Sequence, residues 1–186
     1  TNDTSFVITV YDNPNVSLDP IQPVCLNEDT FRLKGGAPTG IGGSFKGNGV
    51  VGAFFDPAVS GVGLHTVTYV FVDNNSCKDS ASANVRVDSI PQLSMSSLPD
   101  ICADNGIVNL SGVASTISSN GGSAIYSGNG VSGSSFNPAI AGPGNHDITY
   151  THTDAIGCIN DTSITVTVNP VPQVTLSALA PVCQNI

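Results

Sequence analysis

Three observations predict an all-β chain. Charged residues make up only 10 % of the 186 residues, against roughly 25 % in an ordinary globular protein. Ser, Thr, Asn and Gly supply the polarity instead, so the Leu, Glu, Lys and Arg that fill helices are scarce. Apolar residues recur with a period of two rather than 3.6, and no stretch carries the apolar stripe of an amphipathic helix. Turn clusters drawn from 20 Gly and 12 Pro interrupt the chain about every 8–12 residues, the spacing of short strands in a sandwich. The combination points to antiparallel β-sandwich domains of immunoglobulin-like type.

The strands can be read in order. In HTVTYVFV (65–72), Val67, Tyr69 and Phe71 alternate with Thr66, Thr68 and Val70. ASANVRV (81–87) sets Ala and Val against Ser, Asn and Arg, and SITVTV (163–168) repeats the pattern. Between them lie GGAPTGIGG (35–43), NNS (74–76), NPAIAGPG (137–144) and AIG (155–157), where Gly, Pro and Asn turn the chain.

The domains are tandem. GNGVVGAFFDPAVSGVGLHTVTYVFVDNNSC (47–77) lies over GNGVSGSSFNPAIAGPGNHDITYTHTDAIGC (128–158) without a gap. Phe55/Phe136, Pro57/Pro138, Gly63/Gly144, His65/His146, Tyr69/Tyr150, Asp73/Asp154 and Cys77/Cys158 coincide. Upstream, Cys25 matches Cys102, with four extra residues in the second copy before its GNGV. NDTSFVITV (2–10) resembles NDTSITVTV (160–168), and PVC (23–25) recurs at 181–183. The expected organisation is the last strand of a preceding repeat (1–14), two whole repeats (15–91 and 92–172) and the first part of another (173–186). Pro14, Pro91 and Pro172 mark the junctions. Residues 1–10 and 173–186 read as orphan strands, to be completed by a neighbouring chain or by a longer parent chain.

GNGVVG and GNGVSG match the G-x-G-x-x-G of dinucleotide-binding turns. That fingerprint works only where a strand hands over to a helix whose N-terminus meets the phosphate. Here Phe-Asp/Asn-Pro-Ala and another Gly-rich turn follow, so the glycines are expected to take positive φ in a tight turn.

Charge excludes further classes. The net charge is −9, all five basic residues (Arg32, Lys34, Lys46, Lys78, Arg86) lie between 32 and 86, and none follows. Nucleic acid and anionic membrane surfaces are poor partners for such a chain. No apolar run approaches a membrane span, and the N-terminus lacks a signal-peptide pattern. A soluble, acidic, extracellular piece is expected. No catalytic residue, cofactor or small-molecule substrate is predicted. His65 and His146 recur at one repeat position, as a strand residue would, and His152 has no counterpart.

Cysteines at 25, 77, 102, 158 and 183 recur with the repeat and point to disulfides in an oxidising compartment. Pairing within each repeat gives Cys25–Cys77 and Cys102–Cys158, leaving Cys183 unpaired in this stretch. Pairing across the junctions gives Cys77–Cys102 and Cys158–Cys183. The within-repeat scheme is favoured, because a long strand and a Pro-marked junction separate Cys77 from Cys102. No C-x-x-C exists for zinc. Glu28, Asp29, Asp73, Asp79, Asp88, Asp100 and Asp104 are oxygen donors for calcium, but no D-x-D-x-D-G loop occurs. A Lys–Asn isopeptide bond cannot form in the second repeat, which has no Lys. Sugar stacking has little to work with: there is no Trp, and Tyr126 and Tyr150 read equally well as core.

The order C-x-[ND] … L-x-G … [FY]-x-G-N-G-V … F-[DN]-P-A … G-x-G-x-H-x-[IV]-T-Y … D-x-x-x-C … V-x-V resembles an Ig-like repeat of giant surface proteins of Bacteroidota exported by type IX secretion. The resemblance covers both whole repeats and the partial ones. It implies a shaft of a cell-surface adhesin or an extracellular filament, whose partners are neighbouring domains of the same array or adjacent copies. It also implies O-glycosylation at Asp-Ser-apolar sites, here Ser80 and Ser89. The alternatives are a glycan- or protein-binding adhesion module, calcium-dependent or not, and an accessory domain of a secreted hydrolase.

Overall fold

The structure is a computed structural model that describes residues 3–118 and 120–178. In the first repeat the strands are β1 (Ser17–Leu18), β2 (Val24–Cys25), β3 (Phe31–Arg32), β4 (Gly36–Ala37), β5 (Gly43–Lys46), β6 (Val50–Val51), β7 (Phe54–Phe55), β8 (Gly63–Val72) and β9 (Lys78–Asp88). The one-turn helix α1 (Pro57–Ser60) separates β7 from β8. The second repeat runs β10 (Gln92–Met95), β11 (Ile101–Cys102), β12 (Val108–Asn109), β13 (Ala114–Ile117), β14 (Ser123–Ser127), β15 (Val131–Ser132), β16 (Ser135–Phe136), α2 (Pro138–Ala141), β17 (Gly144–Thr153) and β18 (Ile159–Asn169).

Each repeat builds the same sheets. A four-stranded sheet has the order β2-β9-β8-β5, and its counterpart is β11-β18-β17-β14. A three-stranded sheet has the order β3-β7-β6, or β12-β16-β15. The long hairpins β8–β9 and β17–β18 carry most of the pairing, because their Thr- and Val-rich alternation suits a pleated, half-buried surface. Val67, Val85 and Val87 are buried while Ser82, Asn84 and Arg86 face outward, the period-two pattern the sequence shows. Val70, placed on the polar face by that pattern, is buried as well. The fold is all-β, two Ig-like sandwiches in tandem along the chain.

The core of each sandwich lies between its two sheets. Leu33, Phe55, Val67, Val85 and Val87 form the first cluster, and their counterparts Leu110, Phe136, Ile148, Val166 and Val168 form the second. Phe31 packs against Phe55 with ring centroids 5.6 Å apart, close enough for a favourable aromatic pair.

Two features differ from the sequence reading. The first is helical. A single turn, α1 or α2, stands where only a Gly-rich turn was expected. Asp56 caps α1 by accepting from the Ala58 and Val59 amides, Asn137 caps α2 by accepting from Ala139 N–H, and Pro occupies the first helical position in both. Four residues are too few to show an apolar period.

The second is parallel pairing. β2 docks alongside the end of β9 (Cys25 opposite Asp88), and β11 alongside the end of β18 (Cys102 opposite Asn169). The second repeat also differs by its four extra residues. The stretch that holds them includes β13, whose ladder with β10 has four residue pairs, against two for β1–β4.

The chain divides into two compact units. Among the described residues, the first holds 3–91 together with the turn Asp154–Cys158, and the second holds the rest of 92–153 and 159–178. Residues 3–16 carry no strand, and Phe6 and Val7 are 90 % and 93 % exposed. Of the expected orphan strand at the other end, residues 179–186 lie outside the described residues.

Candidate functional site

The site with a built geometry is the disulfide Cys25–Cys158, with Cα atoms 5.6 Å apart, inside the usual range for a bridge. Neither expected scheme forms. Cys25–Cys77 and Cys102–Cys158 are both absent, and Cys77 and Cys102 are free. Because Cys158 is bonded to Cys25, Cys158–Cys183 is excluded too; Cys183 itself lies outside the described residues.

The physical reason is the parallel docking of β2. Cys25 sits opposite Asp88 at the end of β9, whereas Cys77 immediately precedes Lys78 at its start. Eleven strand residues therefore separate them, about 35 Å at the rise of an extended strand. The same holds for Cys102, opposite Asn169, and Cys158, just before Ile159. A bridge within a repeat would have to span the sandwich lengthwise.

Each half of the bridge is rigidly presented. On the strand side, Leu26 N–H donates to Asp88 C=O (2.9 Å) and Glu28 N–H to Cys25 C=O (3.0 Å). On the turn side, the buried Asp154 carboxylate gathers the amides of Ile156, Gly157 and Cys158 at 2.8–3.0 Å, and Asp154 N–H donates to Cys158 C=O at 3.0 Å. One carboxylate oxygen thus gathers three consecutive donors of the turn, of which Gly157 N–H also reaches Asp154 C=O at 3.1 Å. Cys158 is fully buried.

The glycine motif is structural. Gly49 and Gly130 take φ of +75° and +79°, and a Cβ at Gly49 would lie 2.7 Å from both Asp56 O and Ser60 Cβ. Asn48 and Asn129 donate to the last carbonyls of α1 and α2, both at 3.0 Å. His65 and His146 donate from Nε2 to Gly61 and Gly142 C=O, both at 2.7 Å. GNGV and the histidine thereby clamp a one-turn helix, satisfying carbonyls that its end leaves open. His152, without a repeat counterpart, is buried and donates to Gly121 C=O at 3.0 Å.

The acidic residues do not converge. Asp88 is held by Arg86 at 3.1 Å, Asp73 caps its own turn, and Asp79 accepts from Ser80 N–H. Glu28, Asp29, Asp100 and Asp104 are exposed. Among the described residues no three His, Cys, Asp or Glu side chains gather as a metal-ion set. Also among them, no helix is long and apolar enough to cross a membrane. Ser80 and Ser89 are both exposed. Tyr126 and Tyr150 are half-buried against each other, with hydroxyls bonded to Leu110 C=O and to Thr116.

A second feature lies in the first unit. An open groove of about 570 Å³ is lined by Arg32, Lys34, Phe45, Tyr69 and glycines of the GGAPTGIGG stretch. Those glycines let the chain lie on the Tyr69 ring: a Cβ at Gly36 would come within 2.6 Å of it. The repeat counterparts of Arg32 and Lys34 are Asn109 and Ser111, so the second repeat carries no positive charge there.

Fold and bridge together define a disulfide-linked, tandem Ig-like β-sandwich protein. No protein-family model and no curated protein matches the chain. Among solved structures it is similar to the fibronectin(III)-like modules of Clostridium thermocellum CbhA, with 13 % identity, 88 % of this chain and 99 % of that one covered, and a TM-score of 0.36. It is similar to the insect immune protein hemolin at 12 % identity over 86 % and 46 % of the two chains, with a TM-score of 0.35. A third likeness is to SGBP-B of the Bacteroides ovatus mixed-linkage glucan utilization locus, solved with a mixed-linkage heptasaccharide. There the identity is 13 % over 84 % and 48 %, with a TM-score of 0.29. The chain spans about half the length of the hemolin and SGBP-B chains it matches.

Proposed function

We propose that this chain is a stretch of a load-bearing extracellular shaft, in a cell-surface adhesin or filament of the Bacteroidota kind that its repeat motif resembles. The observation that carries this reading is the span of the Cys25–Cys158 bridge, 133 residues along the sequence. It runs from the first repeat's parallel strand to the second repeat's hairpin turn. Tension applied outside the two cysteines passes through the S–S bond, and the strands between them bear none of it. A disulfide also suits an oxidising, extracellular setting. The role is mechanical rather than enzymatic, with other repeats as partners and no cofactor. The exposed Ser80 and Ser89 are open to O-glycosylation.

Pulling single molecules from both ends tests this. With the bridge intact, the segment between the cysteines adds nothing to the final extension. Under reductant the molecule lengthens by roughly 440–480 Å, the extended length of those residues. Equal extension with and without reductant would remove the basis for the shaft.

The groove favours a second reading, a binding module for an anionic glycan or an acidic protein segment. Arg32 and Lys34 beside Phe45 and Tyr69 are a cationic, aromatic lining in a chain of net charge −9. Acidic polysaccharides titrated into the chain should then bind, and Arg32→Ala with Lys34→Ala should weaken binding by about tenfold or more. Binding unchanged in the double variant would discard this reading.

A further inference from the structure

We propose that the outer face of the β3-β7-β6 sheet, together with the groove it borders, docks an acidic segment of a partner protein that carries an apolar side chain near its carboxylate. The inference rests on the binding-module reading of the groove and chooses between the two ligands that reading leaves open.

Strand register builds the face. Phe31, Phe55 and Val50 lie opposite one another across the three strands, and all three pack into or against the core. Residues directly opposite in a ladder share a face, and neighbours along a strand point to opposite faces. The adjoining row, Arg32, Phe54 and Val51, therefore points away from the core. It stands in solvent: Arg32 is exposed, and Phe54 and Val51 are 47 % and 74 % exposed. A guanidinium, an aromatic ring and an aliphatic side chain are thus lined up across three strands, about 10 Å from end to end.

The second repeat is an internal control. Its inward row, Val108, Phe136 and Val131, keeps the apolar character of the first. Its outward row is Asn109, Ser135 and Ser132. The fold therefore asks for nothing apolar at these outward positions. Adjoining exposed apolar side chains with a charged rim mark an interaction site rather than a packing need.

Charge names the partner. Arg32 also lines the groove, as does Lys34 two residues on. Among the described residues neither makes an ion pair, so both meet an incoming carboxylate without first giving one up. The Arg32 guanidinium can hold it through two parallel hydrogen bonds. The residue mix favours protein over sugar. Arginine and aromatic anchors dominate protein interfaces, whereas the hydroxyls around a sugar ring find no polar partner on Val51 or Phe54. An extended segment that lays an apolar side chain on Phe54 and Val51 reaches Arg32 with an Asp or Glu two or three residues further on.

Panning a random dodecapeptide library on phage against the chain tests this. It should enrich sequences that join an apolar residue to Asp or Glu two or three positions away. A labelled synthetic copy of the enriched peptide, followed by fluorescence anisotropy, should bind at least about tenfold more weakly to Val51→Ser with Phe54→Ser, and likewise to Arg32→Ala. The second repeat holds Ser at both equivalent positions, so circular dichroism should show the fold unchanged. Any binding of polygalacturonate, the comparison probe, should not depend on the two Ser substitutions. Enrichment without acidic-apolar sequences, peptide binding unchanged by the Ser substitutions, or polygalacturonate binding that needs Val51 and Phe54 would each overturn the proposal. Peptide binding lost in Arg32→Ala with Lys34→Ala, but kept in the Ser variant, would remove this inference and leave the groove reading standing. Binding kept in both would remove the two together.

Discussion

Replacing Cys25 by Ser lowers the unfolding free energy of the chain by about 2–5 kcal/mol, among the largest single-residue effects expected here. The bridge closes a loop of 133 residues, and longer loops lose more conformational freedom when they are cross-linked in the unfolded chain. Urea or thermal unfolding followed by circular dichroism measures it. The effect has an internal control. Reductant should lower the stability of the wild-type chain by a similar amount and leave Cys25→Ser unmoved. Cys25 is the better position to change, because Cys158 is fully buried and a hydroxyl there adds a cost unrelated to the bridge.

Truncating Phe55 or Phe136 to Ala should each cost about 3–5 kcal/mol, the usual penalty for emptying a buried aromatic site. Both side chains are fully buried and stand in the middle of their clusters. Each contacts a repeat-equivalent neighbour, Phe55 with His65 and Phe136 with His146 (centroids 6.5 and 6.4 Å apart). Parallel denaturation curves of the two variants check the point. A loss below about 1 kcal/mol at either position would mean that its cluster is not the core it is taken to be.

The all-β class, the long strands and the internal repeat were legible in the sequence, because each rests on a local signal. Val67, Val85, Val87, Val166 and Val168 follow the period-two rule and are buried. The glycine motif was legible for the same reason, since positive φ is a local property of Gly49 and Gly130. The disulfide was not. Its partners are set by where β2 and β11 dock, each a two-residue parallel strand too short to show any pattern. The long strand β9 separates Cys77 from Cys102 along the chain. The same geometry rules out Cys25–Cys77, since β9 carries the two cysteines to opposite ends of the sheet. The groove is likewise non-local: Arg32 and Lys34 meet Phe45 and Tyr69 only once β3 and β5 are placed. The cis Ala37–Pro38 peptide within GGAPTGIGG was likewise not anticipated.

The most direct test of the account is non-reducing peptide mapping of the oxidised chain by mass spectrometry, with free thiols alkylated first. No Lys or Arg follows Arg86, so a protease that cuts at aromatic or acidic residues is needed. The structure predicts that Cys25 and Cys158 are carried by linked peptides. Linked Cys25–Cys77 and Cys102–Cys158 peptides would contradict it, closing each repeat on itself and leaving tension to run through the strands.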